Sequence, residues 1–150
     1  MKTAIYTVGG SIEPIMTSLN RYRPGKVYFV ASTMSARQID DVLAGCSFHL
    51  ESETCVLEDE QDLGRCVEEL RELCRHHQEW IREAESGQMM LDFTGGTKVM
   101  VAAAAMVFSQ MDVLFSYVGG VRRAKDGLGA VEAGSERFYF LANPMRPPCV

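Results

Sequence analysis

The chain has 150 residues, of which 47% are apolar and 23% charged, and these proportions describe one globular domain with a single core. Fifteen Lys and Arg against 20 Asp and Glu give a net charge of −5, which argues against long DNA or RNA as a partner. No apolar run approaches the roughly 20 residues that span a membrane, and the first residues lack the pattern of a secretory signal. The chain has five cysteines, an odd number, so we expect a cytoplasmic protein with reduced thiols. Because no apolar run is long enough, we expect no membrane partner.

Strand-like and helix-like segments alternate along the chain. Runs of β-branched and aromatic residues that end at Gly or Pro predict strands, and apolar residues that recur three and four positions apart predict helices. We predict strands at residues 2–8, 26–31, 48–57, 89–93, 112–118 and 136–141, and helices from Ser11, at 35–44, at 61–84 and at about 97–110. The strand at 48–57 is expected to lie at an edge, and the Gly-rich residues 122–134 fit a β-hairpin.

Several residues mark where these helices begin and end. Ser11 is predicted to cap the first helix, and Ser32 or Thr33 the second, because a hydroxyl accepts hydrogen bonds from the free amides of a first turn. Gly45 is expected to end the second helix. Residues 61–84 carry the clearest helical pattern, with His77 and Ile81 on its apolar side.

This alternation predicts an α/β fold. The expected class is a Rossmann-like three-layer sandwich, in which a mostly parallel central sheet carries helices on both faces. Because no linker divides the chain, we expect one domain over residues 1–144 and a Pro-rich tail over residues 145–150.

Three Gly-Gly pairs, each directly after a predicted strand, point to a binding site. They are Gly9-Gly10, Gly95-Gly96 and Gly119-Gly120. The carboxyl ends of parallel strands share one edge of a sheet, where ligands of such folds bind, and Gly lets a ligand come close to the backbone. Two of the pairs also lead into a helix N-terminus, whose free amides attract anions. The alternative interpretation is tight turns with ordinary caps.

Residues 92–98, Asp-Phe-Thr-Gly-Gly-Thr-Lys, add two hydroxyls and a cation at the same edge. The composition is typical of a phosphate site, although the spacing is neither that of a P-loop nor that of a dinucleotide-binding loop. Cys74, His76 and His77 do not predict a metal site, because helical neighbours diverge by about 100° per residue. We therefore expect an anionic ligand, without a metal or a cofactor.

Three motifs resemble the CARF family, the CRISPR-associated Rossmann-fold domains. They are T-V-G-G-S-x-x-P-I at residues 7–15, D-x-T-G-G-T-K-x-M-x-x-A-A-A at residues 92–105, and Y-V-G-G-x-R at residues 117–122. The resemblance covers nearly the whole chain, from Met1 to Pro144. Its most specific part is T-G-G-T-K between a strand and a helix.

The resemblance implies a receptor for cyclic oligoadenylates, the second messengers of type III CRISPR antiviral systems. CARF domains form homodimers that bind one ring across the two-fold axis, most often cyclic tetra-adenylate, with cyclic hexa-adenylate as a further ligand. Some standalone members are ring nucleases, which cleave the ring without metal through attack of a ribose 2′-OH and leave linear di-adenylates with a 2′,3′-cyclic phosphate. We expect a ring nuclease; the alternatives are a non-catalytic sensor domain of a CRISPR effector and an unrelated nucleotide-using enzyme on a Rossmann-like fold.

The resemblance also assigns site residues. Ser11 matches the family's position near the ribose and Lys98 the cation near the scissile phosphate, so these two are the expected catalytic residues. Backbone amides of Gly10, Gly95, Gly96 and Thr97 would hold phosphates. The expected ligand-binding set is Val8, Gly9, Gly10, Ser11, Pro14, Ser32, Thr33, Thr94, Gly95, Gly96, Thr97, Lys98, Met100, Gly119, Gly120 and Arg122.

Overall fold

The computed structural model describes residues 1–120 and 136–145. Its strands are β1 (Thr3–Thr7), β2 (Lys26–Ala31), β3 (Glu51–Val56), β4 (Met89–Asp92), β5 (Leu114–Gly120) and β6 (Glu136–Ala142). Its helices are α1 (Glu13–Tyr22), a 3₁₀ helix (Ser35–Gln38), α2 (Ile39–Ala44), α3 (Leu63–His76), α4 (Trp80–Glu85) and α5 (Lys98–Phe108). The predicted hairpin at 122–134, with Arg122, and residues 146–150 of the predicted tail lie outside the described residues.

The strands form one sheet in the order β3-β2-β1-β4-β5-β6. β1 to β5 are parallel, and β6 runs antiparallel to β5. The chain starts in the middle of the sheet at β1, moves outward to β3, and returns to β4 on the other side of β1. The carboxyl ends of β1 and β4, where the strand order reverses and which we call the crevice, are the place at which doubly wound folds bind their ligands.

Helices cover both faces of the sheet. On one face α1 and α2 pack over a core that includes Leu19 and Phe29. On the other face α3, α4 and α5 enclose a core that includes Leu70 and Phe108. All five residues of β1 are buried, because the central strand is covered on both sides. The predicted three-layer sandwich with a mostly parallel sheet is therefore confirmed.

The two edge strands differ in character. β3 is an edge strand, as predicted, and its exposed residues include Glu51 and Glu53, the latter 3.6 Å from the Lys26 ammonium. β6 exposes large apolar side chains instead: Tyr139 and Leu141 are 54% and 58% accessible. Charge on an edge strand discourages pairing with another sheet, whereas apolar side chains invite contact.

The predicted helix over residues 61–84 is wrong, because the structure divides it into α3 and α4. At His77 the backbone leaves the helix, with φ −127° and ψ 61°. The His77 ring then stacks on Trp80 at 4.4 Å between centroids, and Tyr28 meets Trp80 edge-on at 4.8 Å. The break turns α4 so that Trp80 is buried while Ile81, predicted on the apolar side, is 49% exposed.

Two of the predicted helix caps need correction. Ser11 does not cap α1, because that helix begins at Glu13 after Ile12, and no side chain caps it. Thr33 is exposed and caps nothing, whereas the Ser32 hydroxyl accepts a hydrogen bond from the amide of Ser35, as predicted, at 3.0 Å.

Gly45 does end α2, as predicted. The pair Gly119-Gly120 does not follow β5 but forms its last two residues, paired with Arg137 and Glu136 of β6. Because β6 runs antiparallel beside β5, their pairing extends β5 to Gly120, two residues past the predicted end at residue 118. No helix among residues 1–120 and 136–145 is long and apolar enough to cross a membrane.

The loops after β1 and β4 touch backbone to backbone at the crevice. A Cβ on Gly9 would lie 2.6 Å from the Gly96 amide nitrogen, and one on Gly95 would lie 2.8 Å from the carbonyl oxygen of Thr7. Gly96 also has φ +98°, a conformation that L side chains rarely adopt. Gly10 differs, since a Cβ there would meet nothing within 4 Å.

We predict that Gly9→Ala lowers the free energy of unfolding by about 1–3 kcal/mol, because the added methyl group must push two backbone segments apart. Gly10→Ala is the matched control one residue along the chain. It should leave stability unchanged or raise it by up to about 1 kcal/mol through a less flexible unfolded chain. Urea unfolding of both variants measures the difference, and equal stabilities would contradict the contact between the loops.

Candidate functional site

A cavity of about 320 Å³ lies at the carboxyl edge of the sheet, beside the crevice between β1 and β4. Three segments form it: the loop after β1, the segment after β2, and the loop after β4 with the first turn of α5. Its lining residues are Val8, Gly9, Gly10, Ser32, Met34, Ser35, Gln38, Gly96, Thr97 and Met100. We call this space the switch-point cavity.

Most of the predicted ligand-binding residues lie in or beside the switch-point cavity. Those in the lining are Val8, Gly9, Gly10, Ser32, Gly96, Thr97 and Met100. Ser11 directly follows Gly10, Pro14 lies in the first turn of α1, and Gly95 and Lys98 adjoin the lining residues of the second loop. Thr33 is exposed outside the lining, and Gly119 and Gly120 belong to the β5–β6 ladder.

Six backbone amides in the two loops beside the cavity are available to a ligand. Within residues 1–120 and 136–145, the amides of residues 9–11 and 95–97 donate no hydrogen bond. Free backbone amides in two adjacent loops form a concave anion site of the kind that holds phosphate groups. Gly10 is exposed and has open space where a Cβ would stand, so a ligand can reach the backbone there.

The N-terminus of α5 adds positive charge at the same place. Thr97 caps the helix by accepting a hydrogen bond from the Met100 amide at 3.1 Å. Lys98 follows as the first residue of the helix; it is exposed and is the single charged residue of α5. Because no hydrogen bond or ion pair within the described part of the chain occupies Lys98, its ammonium can meet an anion.

A buried network under the second loop holds it in shape. Asp92 is 1% exposed, and its carboxylate accepts hydrogen bonds from the Ser116 hydroxyl at 2.7 Å and the Thr94 amide at 3.0 Å. Burial raises the pKa of Asp92, and these two donors oppose the rise. The Thr94 hydroxyl, expected to bind ligand, accepts a hydrogen bond from the Val118 amide at 2.7 Å. Thr94 therefore positions the loop.

The first loop carries a hydroxyl and a carboxylate next to the cavity. Ser11 donates its hydroxyl proton to Glu13 Oε2 at 2.6 Å. This bond holds the pKa of Glu13 below its usual value, because it stabilises the charged carboxylate. Ser11 directly follows the lining residue Gly10, and its oxygen keeps lone pairs that can accept a hydrogen bond from a ligand.

Sequence reasoning missed Met34, Ser35 and Gln38, which line the cavity from the segment after β2. Gln38 reaches across to the first loop, where its Nε2 donates to the carbonyl oxygen of Gly10 at 2.8 Å. No glycine pair marks this segment. The available signal was topological, since β2 neighbours β1 and ends at the same edge of the sheet.

A metal site is not found among the described residues, where no three His, Cys, Asp or Glu side chains are grouped to hold an ion. The four described cysteines are all free. Burial raises the pKa of each thiol, so these cysteines are poor nucleophiles at neutral pH.

No known protein-family profile and no curated protein sequence matches the chain. Solved structures do match its fold. Can2 from Sulfobacillus thermosulfidooxidans, in complex with cyclic tetra-adenylate, aligns with a TM-score of 0.57 at 15% identity, over 79% of this chain and 32% of Can2. Csm6 from Enterococcus italicus, bound to cyclic hexa-2′-fluoro-hexa-dAMP, aligns with a TM-score of 0.56 at 16% identity, over 83% of this chain and 35% of Csm6.

A third match is protein VC1899 from Vibrio cholerae, with a TM-score of 0.60 at 13% identity, over 79% of this chain and 30% of that protein. The chain spans about a third of the length of each of these proteins. Can2 and Csm6 are both CARF-domain proteins. The chain shares the fold of these three proteins, in which a mostly parallel sheet carries helices on both faces, as its sequence predicted.

Proposed function

We propose that this protein binds a cyclic oligoadenylate, with cyclic tetra-adenylate as the preferred ring, in type III CRISPR antiviral signalling. The observation that carries the proposal is the switch-point cavity, where two loops offer free amides beside Lys98 and the N-terminus of α5. A cyclic oligoadenylate presents one phosphate per nucleotide, and adjacent anion sites suit such a ligand. A cytoplasmic location, expected from the reduced cysteines, fits this role.

We further propose that the protein cleaves the ring to linear di-adenylate with a 2′,3′-cyclic phosphate. In this reaction a ribose 2′-OH attacks the adjacent phosphorus, the bond from phosphorus to the 5′-oxygen breaks, and the 2′-OH proton is transferred to solvent or to the leaving oxygen. Such a step needs in-line positioning and stabilisation of negative charge more than a strong base. Amides 95–97 and Lys98 would stabilise the charge, and Ser11 would position the 2′-OH.

The Ser11–Glu13 hydrogen bond is consistent with that positioning role. Because the hydroxyl proton of Ser11 points to Glu13, the oxygen presents its lone pairs outward and can accept the 2′-OH proton in a hydrogen bond. The attacking oxygen would then be oriented before reaction, without a change in the protonation of Ser11.

A second function, sensing without cleavage, is favoured by the position of Ser11 beside the cavity and outside its lining. Radiolabelled cyclic tetra-adenylate incubated with the protein in EDTA separates the candidates. Linear product supports the ring nuclease, and intact but retained ring supports the sensor. If no ring binds, an unrelated nucleotide-using enzyme on this fold is the better explanation.

We also propose that two copies associate through the outward face of α5. After Lys98 that helix is apolar around its whole circumference, and Val101, Ala102, Ala105 and Met106 remain at least partly exposed. Its small residues permit a second helix to approach closely. A ring with an even number of nucleotides can present identical halves to two identical subunits, as a two-fold interface requires.

Lys98→Ala is expected to weaken binding of cyclic tetra-adenylate by about ten- to a hundred-fold, because a charge-assisted contact to phosphate is lost. Arg82→Ala is the charge-matched control. Arg82 is exposed on α4, which precedes the amino end of β4, whereas the cavity lies at the carboxyl ends of the strands. Calorimetry measures both variants. Unchanged affinity in the Lys98 variant would remove Lys98 from the phosphate site.

Ser11→Ala should slow single-turnover cleavage about ten- to a hundred-fold, which corresponds to about 1.4–2.8 kcal/mol of lost positioning. Since Ser11 caps no helix, the free energy of unfolding should stay within about 0.5 kcal/mol of the wild type. Ser47→Ala, at an exposed serine between α2 and β3, is the control. Cleavage at the wild-type rate would exclude Ser11 from the reaction, and loss of activity in EDTA would overturn the metal-free mechanism.

Met106→Glu should convert the dimer to a folded monomer, because a carboxylate would be buried between two apolar helices. Val56→Glu is matched in exposure, at 47% against 53% for Met106, and lies on β3; it should remain dimeric. Sedimentation velocity with and without ring measures the outcome. A wild-type protein that is monomeric in both conditions would refute the assembly.

A further inference from the structure

Gln38 joins two of the three segments that form the switch-point cavity. It is the last residue of the 3₁₀ helix after β2, and its Nε2 donates to the Gly10 carbonyl oxygen at 2.8 Å. A glutamine carboxamide has two N–H donors and an oxygen that accepts. Within the described residues, the second N–H and Oε1 of Gln38 form no hydrogen bond, although the side chain lines the cavity.

The bond to Gly10 fixes the orientation of the carboxamide. If the group turned over, Oε1 would face the Gly10 carbonyl oxygen, and two acceptors would be opposed. When the N–H trans to Oε1 makes the bond to Gly10, the other N–H and Oε1 form a donor and an acceptor side by side, in one orientation. Adenine offers the complement along one edge, because its N7 accepts and its 6-amino group donates, and glutamine pairs with this edge through two hydrogen bonds.

We propose that Gln38 recognises the adenine base of the ligand, with its free N–H on N7 and its Oε1 on the 6-amino group. This inference rests on the proposed binding of a cyclic oligoadenylate and assigns the residue that selects the base. The open space at Gly10 and the exposed Met34 leave room for a flat base at the cavity rim. The thioether of Met34 is suited to contact the ring of that base.

The assignment predicts how the site treats a ligand that differs at one atom. Hypoxanthine keeps N7 but has an oxygen at the position of the adenine amino group. Oε1 would then oppose a second acceptor, and the carboxamide cannot turn over without losing its bond to Gly10. Adenine should therefore be preferred over hypoxanthine, and the preference should depend on Gln38.

A purely structural role for Gln38 makes a different prediction. If its side chain only ties the segment after β2 to the first loop, its removal changes the affinity for every ring by the same factor. The ratio of affinities for adenine and hypoxanthine rings distinguishes the two roles, because a loss of cavity shape affects both ligands alike.

The test measures binding of cyclic tetra-adenylate and of the same ring with hypoxanthine in place of every adenine, by calorimetry. The proteins are the wild type, Gln38→Met and Gln78→Met. Gln78 is the matched control, since its Nε2 also donates to a backbone carbonyl, that of Arg75, away from the cavity. Melting curves confirm that each variant is folded.

We expect the wild type and Gln78→Met to prefer the adenine ring by at least about ten-fold, and Gln38→Met to bind the two rings within about three-fold of each other. An unchanged ratio in Gln38→Met would overturn the assignment and leave the proposed function intact, as would a wild type that binds both rings equally. A wild type that binds neither ring overturns the proposed function and the assignment with it.

Discussion

The contact between the loops after β1 and β4 is the constraint on which the site depends. Gly9 and Gly95 bring two backbones together at distances that no side chain could occupy, and Thr7 donates its hydroxyl to the Gly95 carbonyl oxygen. This contact sets how far apart the two sets of free amides stand. It also aims the N-terminus of α5 at the cavity, because α5 begins two residues after Gly96. The anion site is thus a product of close packing at the middle of the sheet.

The glycines at this edge serve different purposes, although the sequence presents them as equivalent pairs. Gly9 and Gly95 are required by the loop contact, and Gly96 by its positive φ. Gly10 meets no such demand, since the space around it is open. Because Gly10 has no side chain, the backbone of this loop stays accessible to a ligand. The Gly10 carbonyl oxygen also stays accessible to Gln38.

The sequence predicted the elements that rest on strong local patterns and missed those that depend on distant contacts. Buried strands such as β2 and the start of α5 near Thr97 follow from composition and spacing, and three motifs indicated the fold. The break at His77 was not predictable from helical periodicity. The His77 ring stacks on Trp80 of α4 and meets Tyr28 of the distant strand β2 edge-on, and periodicity carries no information on such contacts. The Ser11 hydroxyl could cap a helix, but it donates a hydrogen bond to Glu13 instead. Gln38 lies at the site because β2 pairs with β1, which the sequence around Gln38 does not indicate.

The unequal edges of the sheet limit what larger structures this chain can build. A sheet with two adhesive edges propagates, since each added copy exposes a fresh edge, and the product is a fibre. Here the edge at β3 displays Glu51 and Glu53, so like charges would meet if two such edges approached. At the opposite edge, β6 exposes the large apolar side chains of Tyr139, Phe140 and Leu141. If two copies met through the β6 side alone, each pair would present charged β3 edges outward, so the assembly would close at two copies.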